Sequence, residues 1–175
     1  LEYSRYINCA GPGALKIANT ITDKFKNLSI LPFMGEYGTQ LSGIAIKTNL
    51  YPVPNPELPF LGIHLTPRIN KTTLVGPNAI PVFRKDIQGI DFSDFNNLPS
   101  IIVNNLVLFS SNKQNYRDHA FSEFTINVKM KFYKNSIKFL DDDSIKGFDI
   151  KMDRSTYGIR PQLIEKESLK FINDF

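Results

Sequence analysis

The sequence predicts an α+β fold, in which a mostly antiparallel sheet of about five strands carries helices packed on it. Three observations lead there. Short apolar runs between Asn27 and Gly76 end in Gly or Pro, as strands do. Leu98 to Ser110 is apolar over a helical length, and a second β-like run, Phe148 to Met152, follows it. About five strands is an ordinary sheet size.

Taken in order, Tyr3 to Ala10 is a short β-like run leading into Gly11-Pro12-Gly13 and then Ala14-Leu15-Lys16-Ile17-Ala18, which has helical composition. Strand, glycine turn and helix can bring backbone N–H groups close to a bound phosphate, although many ordinary turns share the pattern. Asn27 to Leu41 is the next strand candidate, and Ile44 to Leu50 is expected to pair with it after a Ser42-Gly43 turn. Tyr51 to Pro54 reads as a strand end, Phe60 to Thr66 as a second strand and Thr72 to Val75 as a third, closed by Gly76-Pro77. Pro54, Pro56 and Pro59 cannot serve a central ladder and mark the connection. His64 lies inside the second of these runs, where an imidazole in a meander could line a pocket.

Ile80 to Asp94 mixes Pro81, Gly89 and charges, and reads as a loop. Leu98 to Ser110 is expected to be a buried helix. From Asn115 to Lys134 two periods compete: Phe124, Ile126, Val128, Met130 and Phe132 alternate as in a strand, whereas Phe121, Phe124, Val128 and Phe132 fall at helical spacing. Helix is assigned. Asp141-Asp142-Asp143 reads as a solvated turn, since three consecutive carboxylates lack the alternation of a calcium loop. Arg160 stands between Gly158 and Pro161, which hold the backbone in a tight path and suit its guanidinium to a bidentate grip on a carboxylate. His119 has no motif around it and is read as a surface residue.

Bulk properties bound the rest. At 175 residues the chain can form one domain, or one domain with parts of a second. Its 21 basic and 17 acidic residues are interspersed, so a net charge of +4 permits an anionic partner without requiring one. Lys129, Lys131, Lys134 and Lys138 interleave with Phe132, Tyr133 and Phe139, a pattern shared by single-strand nucleic-acid platforms and by ordinary amphipathic helices; the second is adopted, with no nucleic-acid partner. One cysteine, Cys9, excludes a disulfide framework and points to a reducing compartment, expected to be the cytoplasm; its neighbours suggest a buried strand end. Ile101 to Phe109 is interrupted by Asn104 and Asn105 and falls short of the roughly 20 residues of a membrane span. An integral membrane protein is not expected, and peripheral association stays open. No signal peptide is visible. The chain opens on Leu1 and reads as cut from a longer polypeptide.

Tyr51-Pro52-Val53-Pro54, then Pro59-Phe60-Leu61-Gly62-Ile63-His64-Leu65-Thr66-Pro67-Arg68, then Gly76-Pro77-Asn78-Ala79 resemble, in order, the middle of the L-2-hydroxyglutarate oxidases and dehydrogenases, flavoenzymes of the D-amino-acid-oxidase-like group. The similarity extends more loosely from Tyr6 to Gln162. It implies a partial FAD-binding domain over residues 1–26, a substrate-binding domain over 27–152 and a return to the FAD-binding domain over 153–175. It implies oxidation of L-2-hydroxyglutarate to 2-oxoglutarate, with hydride passing from the substrate's α-carbon to FAD and electrons leaving to an acceptor that is not specified.

Asn8-Cys9-Ala10-Gly11 is similar to the segment that passes beside the cofactor, and Gly158-Ile159-Arg160-Pro161 resembles the Gly-x-Arg-Pro segment whose arginine binds the substrate carboxylate. The resemblance therefore implies cofactor contacts at Ala10, Gly11 and Gly158, and substrate contacts at Arg160, His64, Thr66 and Asn78, with His64 as the base. Family members commonly carry Arg where this chain has Met34. The fingerprint Gly-x-Gly-x-x-Gly is not in the chain, so FAD binding is expected to be poor and the fragment inactive alone. No metal site is expected. The other reading is a non-catalytic basic module that binds an anionic ligand or nucleic acid.

Overall fold

The computed structural model describes residues 4–53, 62–82, 98–125, 133–135 and 137–172. Two long strands form its spine. β1 (Leu28–Ser42) and β5 (Asp149–Glu165) run antiparallel from Leu28 opposite Glu165 to Ser42 opposite Asp149, with register shifts between Glu36 and Tyr37 and between Gln40 and Ser42. β2 (His64–Pro67) and β3 (Thr73–Gly76) form a hairpin that joins the other edge of β1 through Gly38–Val75 and Thr39–Leu74. The short β4 (Ile80–Pro81) pairs further along the same edge, at Phe33 and Met34. Among the described residues every pairing is antiparallel, and the α+β expectation and the five-strand sheet hold.

Residues that obstruct a ladder are matched across the ribbon. Pro32 lies opposite Pro161 and Gly35 opposite Gly158, so the missing amides fall on one rung and the missing side chains on another. This is how the segment after the expected strand Phe148 to Met152, Tyr157 to Gln162, becomes part of the same 17-residue strand. The boundary between residues 152 and 153 falls inside that strand.

Alternation along β1 builds a core on each face. Leu31 and Phe33 meet Leu108, Tyr116, Ile164 and Phe171 on one face, where α2 (Leu98–Ser111) and α3 (Tyr116–Thr125) lie. Phe33 makes edge-on ring contacts with Tyr116 and Phe171, each at 6.3 Å between centroids. Toward the other end, Leu65, Val75 and Ile150 join Ile63 and Phe148 in a second core. By the register parity of Gly38, Val75 and Leu65, these side chains occupy the opposite face. There α1 (Ala14–Ile21) also approaches β1.

Several expectations are corrected. Residues 5–10 form no strand; Ile7 is 83% exposed and Cys9 is exposed as well. Ile44 to Leu50 does not pair with β1, whose edges are taken by β3, β4 and β5; among the described residues Leu50 makes a bridge to Leu65, with N–H···O distances of 3.0 Å each way. Likewise Tyr51 to Val53 is not strand. The helix at Leu98–Ser111 buries only the stripe Ile101, Asn105 and Leu108, leaving Val103 and Leu106 exposed. Helix is correct from Tyr116 to Thr125, while 126–132 lie outside the described residues. The loop expected over Ile80 to Asp94 begins instead as strand β4 at Ile80–Pro81, because the open edge of β1 at Phe33 and Met34 takes it up, and 83–94 lie outside the described residues. Asp141 to Asp143 is solvated as expected but structured: Asp141 Oδ1 accepts from Ser144 N at 2.8 Å and caps α4 (Asp142–Ile145).

Candidate functional site

The helix-bearing face of the sheet is the floor of a cleft of about 720 Å³, within the range of small-molecule sites. Phe33, Gly35 and Tyr37 of β1 and Gly158 and Arg160 of β5 project to it, with His64 from β2, Pro77 to Ala79 from the β3–β4 link, and His119, Ser122 and Glu123 from α3. Gly76 is demanded beside His64: its φ is +136°, and a Cβ there would stand 2.8 Å from the Glu36 carbonyl oxygen.

His64 stacks at a tilt on Tyr51, with 4.7 Å between ring centroids, and its Nδ1 lies 3.3 Å from the Gly62 carbonyl oxygen. Burial lowers its pKa below the ordinary imidazole value, and the Gly62 carbonyl opposes that shift only in part. The shift favours the neutral ring near pH 7. An Nδ1–H donated to Gly62 leaves the Nε2 lone pair available to take a proton. Arg160 is exposed at the rim, and partial desolvation lowers its pKa without removing its charge near neutrality.

Asn78 lines the cleft, yet both ends of its buried amide serve the scaffold. Its Oδ1 accepts from Glu36 N at 2.7 Å and its Nδ2 donates to Glu36 Oε2 at 3.2 Å. Gly158 also lines it, and a Cβ built there meets nothing within 4 Å among the described residues. Thr66, one alternation beyond His64 on β2, is not among the lining residues. Gly11 opens instead on a smaller hollow of about 280 Å³ between α1 and the other face of the ribbon, which Ala10 does not line. His64, Asn78, Gly158 and Arg160 are thus brought together, while Ala10, Gly11 and Thr66 are not.

His119 corrects the sequence reading. Its side chain is 10% exposed and forms part of the cleft wall; Nε2 donates to the Ala79 carbonyl at 2.9 Å and lies 4.0 Å from Glu123 Oε1, whose side chain is 5% exposed. The signal was a His and a Glu four apart on one helix face, a spacing that makes them neighbours. The short bond from the Tyr116 hydroxyl to Asn105 Oδ1, with Asn105 Nδ2 bonded to Ile101 O at 2.8 Å, ties α3 to α2 and so fixes this wall.

Comparison with known proteins bears on what the cleft does. L-2-hydroxyglutarate dehydrogenase, mitochondrial, of Caenorhabditis elegans is 36% identical over 107 residues, covering 60% of this chain and 24% of the relative. The proteins of the same name from Homo sapiens and Bos taurus are each 28% identical, over 90% and 97% of this chain and 35% of their own length. The chain is similar to the L-2-hydroxyglutarate dehydrogenases. It spans about a quarter to a third of the length of these curated relatives. No family model matches it. Among the described residues no group of His, Cys, Asp or Glu could hold a metal ion, and no helix is long and apolar enough to cross a membrane.

Proposed function

We propose that this chain is the substrate-binding part of an FAD-dependent 2-hydroxy-acid oxidoreductase that converts L-2-hydroxyglutarate to 2-oxoglutarate. The observation that carries the reading is that a neutral imidazole, His64, and a permanent cation, Arg160, open into one cleft. The similarity to L-2-hydroxyglutarate dehydrogenases supports it.

Arg160 grips the carboxylate beside the reacting carbon through paired N–H donors. His64 Nε2 accepts the hydroxyl proton as the C–H bond breaks. His119 holds the wall at Ala79, and Asn78 holds it at Glu36. The cleft side fits a flavin ring: it is largely apolar, and open space beside Gly158 leaves room for a planar group against the backbone. A bound flavin supplies the hydride acceptor, and the chain's own residues bind, orient and deprotonate. Without the glycine fingerprint in this sequence, the dinucleotide end would rest on other parts of the polypeptide.

Mixing the full-length native protein with L-2-hydroxyglutarate without oxygen is expected to bleach its flavin absorbance. An absence of bleaching, together with steeply salt-dependent oligonucleotide binding, would replace this reading with that of a basic binding module. The relatives' names place them in mitochondria, whereas the sequence alone suggested the cytoplasm. A single exposed thiol suits either reducing setting, and cell fractionation assigns the compartment.

A further inference from the structure

The cleft holds a second exposed cation. We infer that Lys138 is the receptor for the far carboxylate of a dicarboxylate, making the site selective for acids charged at both ends over 2-hydroxy monocarboxylates. This rests on the reading of the site given above and names the residue that sets its substrate class.

Position carries the inference. Lys138 lines the same cleft as His64 and Arg160. Its neighbour Phe139 packs against the core of Ile63, Leu65 and Val75, which anchors Lys138 at the β2 end. Arg160 stands opposite Phe33 on the ribbon. Four residues further along β1 is Tyr37, next to Gly38 opposite Val75 and hence on the rung that leads through Gly76 to His64. Four residues of strand are about 13 Å. Two long cationic side chains therefore line one cleft, and its wall combines apolar or bare-backbone positions, Phe33, Gly35, Ile63, Phe139 and Gly158, with the polar His64, Asn78 and Glu123. A short acid with methylenes in the middle and a charge at each end matches that layout.

The charges around Lys138 are compatible with the role. Its ammonium donates to the neutral Asn135 Oδ1 at 3.1 Å, which uses one of three N–H groups and fixes the side chain's direction without neutralising it. The acidic group in the wall, Glu123, is turned to His119. A monocarboxylate held by Arg160 would leave Lys138 facing an apolar tail, so the discrimination falls on the lysine.

In the full-length native protein, Lys138→Gln is expected to lower kcat/KM for L-2-hydroxyglutarate about tenfold or more, the scale of one charge-assisted bond, mainly through KM. For L-2-hydroxypentanoate, of equal chain length, the change should be under about twofold, and Lys138→Arg should restore most of the loss. Calorimetric titration of the same variants with glutarate and pentanoate gives a readout independent of turnover: glutarate binding should weaken in the Gln variant and pentanoate binding should not. Equal effects on the two acids, no effect on either, or no glutarate binding by the unaltered protein would overturn the inference. Lysine-dependent glutarate binding without any oxidation would remove the proposed activity and leave this receptor standing.

Discussion

His64 is held in place by a ring and a carbonyl, and its protonation is set by how much water those neighbours exclude. Because burial lowers its pKa in the folded chain, the unfolded chain takes up a proton first as pH falls below about 6.5. Stability contributed by the neutral ring is complete above that value and is lost as pH drops toward the folded pKa. Urea midpoints measured between pH 7 and pH 5 should fall less for His64→Gln than for the unaltered protein, and turnover should show an acid limb with a midpoint below 6.5. Asn78 separates scaffold from substrate contact in the same way. Asn78→Ala removes the acceptor at Glu36 N and the donor to Glu36 Oε2 from a buried position, an expected loss of about 1–3 kcal/mol in urea unfolding. An unchanged urea midpoint with weakened substrate binding would assign Asn78 to the ligand instead.

At the scale of elements, the glycine pair on the ribbon makes opposite demands. A Cβ on Gly35 would stand 2.6 Å from Pro77 Cβ, so Gly35→Ala must push the β3–β4 link aside and should cost about 1–3 kcal/mol. A Cβ on Gly158 meets nothing among the described residues, so Gly158→Ala should leave the denaturation curve in place while narrowing the cleft and weakening ligand binding. In α2, Leu108→Ala should cost about 2–5 kcal/mol, whereas Leu106→Ala, on the exposed side, should stay within about 0.5 kcal/mol. What could be read in advance follows the same line. β1 was legible because Leu28, Ile30, Leu31 and Phe33 form an apolar run of strand length, with Gly35 and Gly38 tolerated inside it. The second half of β5 was not, because Gly158 and Pro161 look like turn residues until their partners Gly35 and Pro32 are known, and those lie more than 100 positions away. Arg160 and His64 could be singled out by residue type and neighbours. His119 could be paired with Glu123 by spacing, but its burial could not be read, because it comes from α3 packing against the Ala79 carbonyl, a contact across 40 residues.

For the molecule as a whole, the two cores are not independent bodies, since β1 contributes Leu31 and Phe33 to one and, through Gly38 and its pairing with Val75 and Met152, backs the other. The cleft lies where the ribbon passes between them. The spine also has a consequence for synthesis. Ser42 finds its partner only at Asp149, and Leu28 only at Glu165, so the ribosome must deliver over 100 further residues before β1 can close along that side. Until then a 15-residue strand waits with an open edge, the kind of surface that recruits other chains. A polypeptide stopped at Phe148 should accordingly elute as aggregate on size exclusion or stay bound to chaperones, and adding residues 149–165 should release it as a monodisperse species.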